Sequence, residues 1–138
     1  MAEERSRTLA DKLNHLFATI HPGGRGPYSN TEVAAGISAT GGSITDAYIG
    51  LLRSGKRSNP TYNHLKGLAE FFGVSVNYFF DDEVAAKIDS ELELVVAMRD
   101  NDVMQIALRS KDLTPQNRSA ILTIIDQIRQ MQGLPPAK

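Results

Sequence analysis

Residues 50 to 57 read G-L-L-R-S-G-K-R, with a lysine directly after the second glycine. That spacing is the one a phosphate-cradling loop uses. The chemistry of such a loop also needs small residues that leave its N–H groups open, a strand leading in, and a Ser or Thr after the lysine to ligate magnesium. Here Leu51 and Leu52 fill the loop, helix-forming sequence precedes it, and Arg57 stands where the hydroxyl belongs. A mononucleotide site is therefore rejected. The basic step at Lys56 and Arg57 remains available to another polyanion.

The other reactive side chains do not assemble a site. His15, His21 and His64 have no ligand spacing among themselves. The chain contains no cysteine, which excludes disulfides, thiolate metal sites and cysteine nucleophiles, and fits the cytosol. No serine sits in a strand-to-helix elbow. Asn117-Arg-Ser119 has the form of a glycosylation acceptor but fits no secreted context. Asp81-Asp82-Glu83 suits the positive end of a helix macrodipole, so it reads as a helix start. No catalytic residue, metal or cofactor is assigned, and an enzyme is not expected.

The elements that would position Lys56 and Arg57 are all helical. Leu9, Leu13, Leu16, Phe17 and Ile20 recur at three- and four-residue spacing behind a Thr8/Asp11 capping pair. "HPGGRGP" (21–27) reads as a surface loop. Ser29-Asn-Thr-Glu32 opens a second helix that ends at Gly41-Gly42. A third runs from about Thr45 to Arg53 and stops at Gly55. Thr61 opens a fourth that stops at Gly73, and Ser75 starts a short fifth, "SVNYFF". A longer helix follows with Val84, Ile88, Leu92 and Val95 on one stripe, then a short one around Val103 and Ile106. Thr114-Pro115 leads into a last helix with Ile121, Ile124, Ile125, Ile128 and Met131 on a wide apolar face. That face either packs within its own subunit or forms a seam with a second copy.

A helix that reads base edges needs short or polar side chains in its first turn and an apolar face that locks it on its neighbour. Thr45, Asp46, Ala47 and Tyr48 meet the first demand, and Ile49 and Leu52 the second. Gly50 would let the groove wall approach. Arg53, Lys56, Arg57 and Asn59 would line the phosphates. Tyr48 has two readings, base contact or core.

"SNTEVAAGI", "YIGLLRSGKRSNP" and "LKGLAEFFGVSVNYFF" resemble helices two to five of the lambda-repressor/Cro-like (XRE) helix-turn-helix family. The resemblance implies double-stranded DNA as partner, with Asn30 donating to a phosphate. A further likeness, to bacterial nucleoid-associated regulators, runs through "LADKLNHLFATIHPGGRGP", "FFDDE" and "MRD". It implies a homodimer joined by the C-terminal helices and binding at many DNA sites. The chain departs from the family in three places. The turn around Gly41-Gly42 is longer, Asn30 and Asp46 stand where Gln is common, and Arg53 replaces a common buried Glu. Asp46 would either accept from cytosine N4 or cap the helix. Arg53 would either meet phosphate or pair with an acid on the first helix, such as Asp11.

The formal charge of −1 conceals an asymmetry. Residues 1–80 hold eight Lys/Arg against six Asp/Glu, and residues 81–138 hold seven against ten. No apolar run is long enough to span a membrane, and "MAEERSRTLADK" lacks the apolar core of a signal peptide. The expectation is an all-α protein with a five-helix lambda-repressor-like DNA-binding domain over 1–80 and a small helical dimerisation domain over 81–138. Leu92, Ile121, Ile124, Ile125 and Ile128 would form the seam, of a dimer or a dimer of dimers. A helical interaction module of antitoxin or adaptor type is the alternative.

Overall fold

Each helix of the first half begins where a side-chain oxygen can take up an orphan N–H group. The Thr8 and Ser29 hydroxyls accept from the Asp11 and Glu32 N–H groups, and both carboxylates return the bond to the cap residue, giving two complete capping boxes. The computed structural model describes residues 7–137. The charged residues 1–6, part of the segment read as lacking a leader, lie outside the described residues, as does Lys138. The helices are α1 (Leu9–Thr19), α2 (Asn30–Ala39), α3 (Asp46–Ser54), α4 (Tyr62–Phe72), α5 (Asp82–Ala97), α6 (Asn101–Ser110) and α7 (Pro115–Met131). The expected fifth short helix is a 3-10 turn, Val76–Phe79, capped by Ser75. No strand occurs among the described residues, and the all-α class holds. Among the described residues no helix is long and apolar enough to cross a membrane.

The chain divides into two compact units, residues up to Val96 and residues from Ala97 onward. In the first unit α1 packs on α3 and on the 3-10 turn, while α2 packs on α3 and α4. Their apolar stripes meet in one core through Leu13, Leu16, Phe17, Val33, Ile49, Leu52, Leu68 and Tyr78. Phe17 and Phe72 meet edge to face at 5.1 Å.

The unit boundary differs from the break expected at 80/81, and the reason is electrostatic. Asp81 does cap α5, accepting from the Glu83 and Val84 N–H groups. But α5 is then fastened to α1. Lys12, only 4% exposed, places its ammonium 2.9 Å from Asp82 and donates to the Phe79 carbonyl. One turn pair further on, Asp89 accepts from the Arg7 guanidinium and from the Tyr78 hydroxyl at 2.8 Å, with His15 Nε2 at 3.3 Å. Burial, reinforced by the bond to Asp89, pushes the Tyr78 phenol up to about 12, so it stays a donor. Ala85 is buried, and Ile88 and Leu92 lie against the same core.

The second unit is built differently. Asp100 caps α6, and Thr114 caps α7 with Pro115 at its first position, as the sequence indicates. The Arg118 guanidinium donates back to the Lys111 carbonyl. No residue of α6 or α7 is buried.

Asp89→Ala strips Arg7, His15 and Tyr78 of a shared acceptor. The variant should lose about 1–3 kcal/mol of first-unit stability in a urea melt followed by circular dichroism. An unchanged midpoint would mean that α5 is held by its apolar face alone.

Candidate nucleic-acid interface

The head of α3 is exposed and rigidly placed. Thr45 is its cap, accepting from the Tyr48 N–H, and Gly55 ends it in the left-handed region at φ 82. Asp46 therefore does not supply the cap. Its carboxylate accepts from the Thr31 hydroxyl at 3.1 Å and from the Ala47 N–H at 2.8 Å, tying the first turns of α2 and α3 together. The long turn between these helices is folded down onto α2. The Gly42 N–H donates to the Ile37 carbonyl, and a Cβ at position 42 would sit 2.6 Å from the Ile37 side chain. Ile44, buried, anchors the far end.

Thr45, Asp46 and Ala47 face solvent, as a base-reading turn requires. Tyr48 is half-buried, with its ring 4.9 Å from the His64 ring, and it packs on the edge of the core. Part of the ring is thus taken up by packing and part stays accessible. Gly50 approaches Asn30: a Cβ there would be 3.5 Å from the Asn30 amide nitrogen.

Arg53 does not pair with Asp11, the acid on α1 that the sequence offered. Its Nε donates to Asn14 Oδ1 at 2.7 Å and its Nη1 to Asn30 Oδ1 at 2.8 Å. The guanidinium lies over the Phe17 ring at 3.9 Å. Asp11 is occupied in the α1 capping box. Burial pulls the Arg53 pKa below its ordinary value, yet a guanidinium stays charged in proteins. The group is enclosed by α1 and α2 and serves the join among three helices. Asn14, which takes both an Arg53 donor and gives its own NH2 to the Arg53 carbonyl, carries no charge or periodicity that would mark it in the sequence.

Beyond Gly55 the loop is open. Lys56, Arg57, Ser58 and Asn59 are all exposed, and neither cation forms an ion pair with a described residue. The Arg57 N–H donates to the Leu51 carbonyl, which fixes the course of the loop off the helix end. Elsewhere in this unit Arg7 pairs with Asp89, Lys12 with Asp82, and Arg25 with Glu32 through two hydrogen bonds of 2.8 and 2.9 Å, while Lys66 and Lys87 are exposed on α4 and α5. The "HPGGRGP" loop is a surface loop, and Arg25 closes it by donating to the Gly26 and Pro27 carbonyls. Lys56 and Arg57 thus form an exposed two-residue basic step just past the end of α3.

No family model matches the chain. The nucleoid-associated protein EspR of Mycobacterium tuberculosis, from strains CDC 1551 and H37Rv, is 40% identical over 129 residues, spanning 94% of this chain and 98% of the relative. The chain belongs to the EspR family.

Of the residues that this EspR-family chain would use for a subunit seam, four belong to the second unit and one to the first. Ile121, Ile124, Ile125 and Ile128 lie together on α7; Ile121 is half-covered, and Ile124 is 55% exposed. Leu92 is not among them. It packs on the core of the first unit, because α5 is drawn onto α1 by Asp82 and Asp89. Among the described residues no cluster of three His, Asp or Glu side chains could hold a metal ion. His15 belongs to the Asp89 cluster and His64 to the Tyr48 contact.

The Arg25 bonds, with the Ser29 N–H, hold the Glu32 carboxyl down at about 2 against an ordinary 4.5. A depressed carboxyl stabilises the fold above its unfolded value and loses that contribution as pH falls through the folded one. Compared with Glu32→Gln, the wild type should therefore be more stable at neutral pH. The gap should close between pH 4.5 and 2 in thermal melts of the two proteins.

Proposed function

We propose that the chain is a double-stranded DNA-binding regulator of the lambda-repressor/Cro-like helix-turn-helix type. It is nucleoid-associated and cytoplasmic, and it acts as a homodimer or a higher assembly. One observation carries the reading. Lys56 and Arg57 stand exposed and without an ion pair, side by side on a loop held at the end of a helix with an exposed polar head. Membership of the EspR family supports it, since the named relatives are nucleoid-associated.

In this reading α3 enters the major groove with Thr45, Asp46, Ala47 and the free edge of Tyr48 toward the bases. The Asn30 amide and the 56–59 loop flank it on backbone phosphates. Asp46, an acceptor only, selects against phosphate and for a donor such as cytosine N4. Subunits pair through α7, whose isoleucines its own chain leaves largely uncovered. The domain roles then follow the unit boundary, with DNA contacts up to Val96 and pairing from Ala97.

Gel shifts with genomic fragments test the main claim, and two variants test its parts. A phosphate contact releases condensed counterions, so Lys56→Ala with Arg57→Ala should reduce the slope of log affinity against log salt by about 0.9 per lost contact. The ranking of preferred sites should not change. An unchanged slope would remove the basic loop from the interface. Ile124→Asp or Ile125→Asp should give a monomer by light scattering while the first unit stays helical. Unchanged mass in both variants would overturn pairing through α7.

A further inference from the structure

A side-chain amide has two ends of nearly equal shape, one an acceptor and one a double donor. Near a phosphate, only one of the two orientations binds; the other sets oxygen against oxygen. Asn30, the first helical residue of α2, is half-buried beside Gly50. What decides its orientation is Arg53. A guanidinium has five donors and no acceptor, so any amide that touches it must present oxygen. Arg53 takes Asn30 Oδ1 at 2.8 Å, which turns the Asn30 NH2 group away from it.

The guanidinium is itself immobile. Asn14 Oδ1 accepts from Nε at 2.7 Å, the Asn14 NH2 donates to the Arg53 carbonyl at 2.9 Å, and the plane rests on Phe17. A cation bonded to the amide oxygen also polarises the amide and sharpens its N–H donors. On the other side, position 50 carries no side chain. A methyl group there would lie 3.5 Å from the NH2 nitrogen and cover part of it.

We infer that Arg53 is a positioning residue for DNA binding: it holds the Asn30 amide with oxygen inward and NH2 outward, so that α2 meets a backbone phosphate with a fixed, polarised donor. Arg53 does this without touching the nucleic acid. The inference rests on the DNA-binding reading above, and it adds a residue that acts through another one.

A double-mutant cycle on the full-length protein decides it. Binding of Arg53→Met, Asn30→Ala and the double variant to one short duplex is measured by fluorescence anisotropy over a salt series. The temperature is chosen so that circular dichroism shows every variant folded. Each single variant should lose about tenfold in affinity, in line with a hydrogen bond to a charged acceptor. The double variant should lose no more than either single one, and the salt slope should stay at the wild-type value. Arg53→Lys, another donor-only cation, should recover part of the loss even if Arg53→Met proves too unstable to measure.

Additive losses, or a slope lowered by about 0.9 in Arg53→Met, would mean that Arg53 contacts phosphate itself and overturn the inference. Full affinity in Asn30→Ala would overturn it as well. In both cases salt-dependent binding by the wild type, weakened by the Lys56/Arg57 changes, would leave the DNA-binding reading standing. A wild type that binds no duplex at low salt would overturn both.

Discussion

The first three helices converge on the Arg53 guanidinium, a planar cation that can only donate. Asn14 from α1 and Asn30 from α2 supply oxygens, and Phe17 supplies a face. A carboxylate in that position could not satisfy the same two amide oxygens, and a neutral side chain would leave them unpaired in a half-buried place. The cation is therefore neutralised by dipoles and not by an acid. The apolar core under it sets the distance between the helices, while the guanidinium sets their register.

That choice fits the way charge is distributed over the first unit. Lys12 and Arg7 are drawn to α5, and Arg25 is folded onto Glu32. The first two pairs are partly buried and fasten α5, while the third is exposed and closes a loop. The loop after Gly55 has no acid near it, and its two cations remain hydrated and ready to exchange counterions. A net charge near zero is thus compatible with a local basic step, because charge is unevenly placed along the chain.

What could be read in the sequence was what local geometry decides. Thr8 with Asp11, Ser29 with Glu32, Thr61, and Thr114 with Pro115 mark helix starts because a cap needs only residues three positions apart. Gly55 and Gly73 mark ends for the same reason. The exposed loop at Lys56 and Arg57 and the isoleucine face of α7 were also legible, being runs of one chemistry. The partners of Arg53 were not. Its position suggested an acid on α1, whereas uncharged amides took it, and an asparagine carries no pattern to follow. The place where the first unit ends was hidden as well. Asp82 and Asp89 look like any helical acids until α1 is laid beside them. Leu92 went astray with them, since a stripe on α5 says nothing about which partner covers it.

The clasp between α1 and α5 has a consequence for the order of events during synthesis. Arg7 meets an acceptor that lies 82 residues further along the chain, and Lys12 reaches a carbonyl 67 residues away. On the ribosome α1 to α4 emerge before either acid of α5 is available, so the nascent unit can collapse early but cannot seat its buried lysine. Closure waits for α5 to leave the tunnel. At that moment α7 is still behind it, threaded and unable to meet another chain. The first unit can thereby close before the last helix has emerged, so its core is complete while the rest of the chain is still being made.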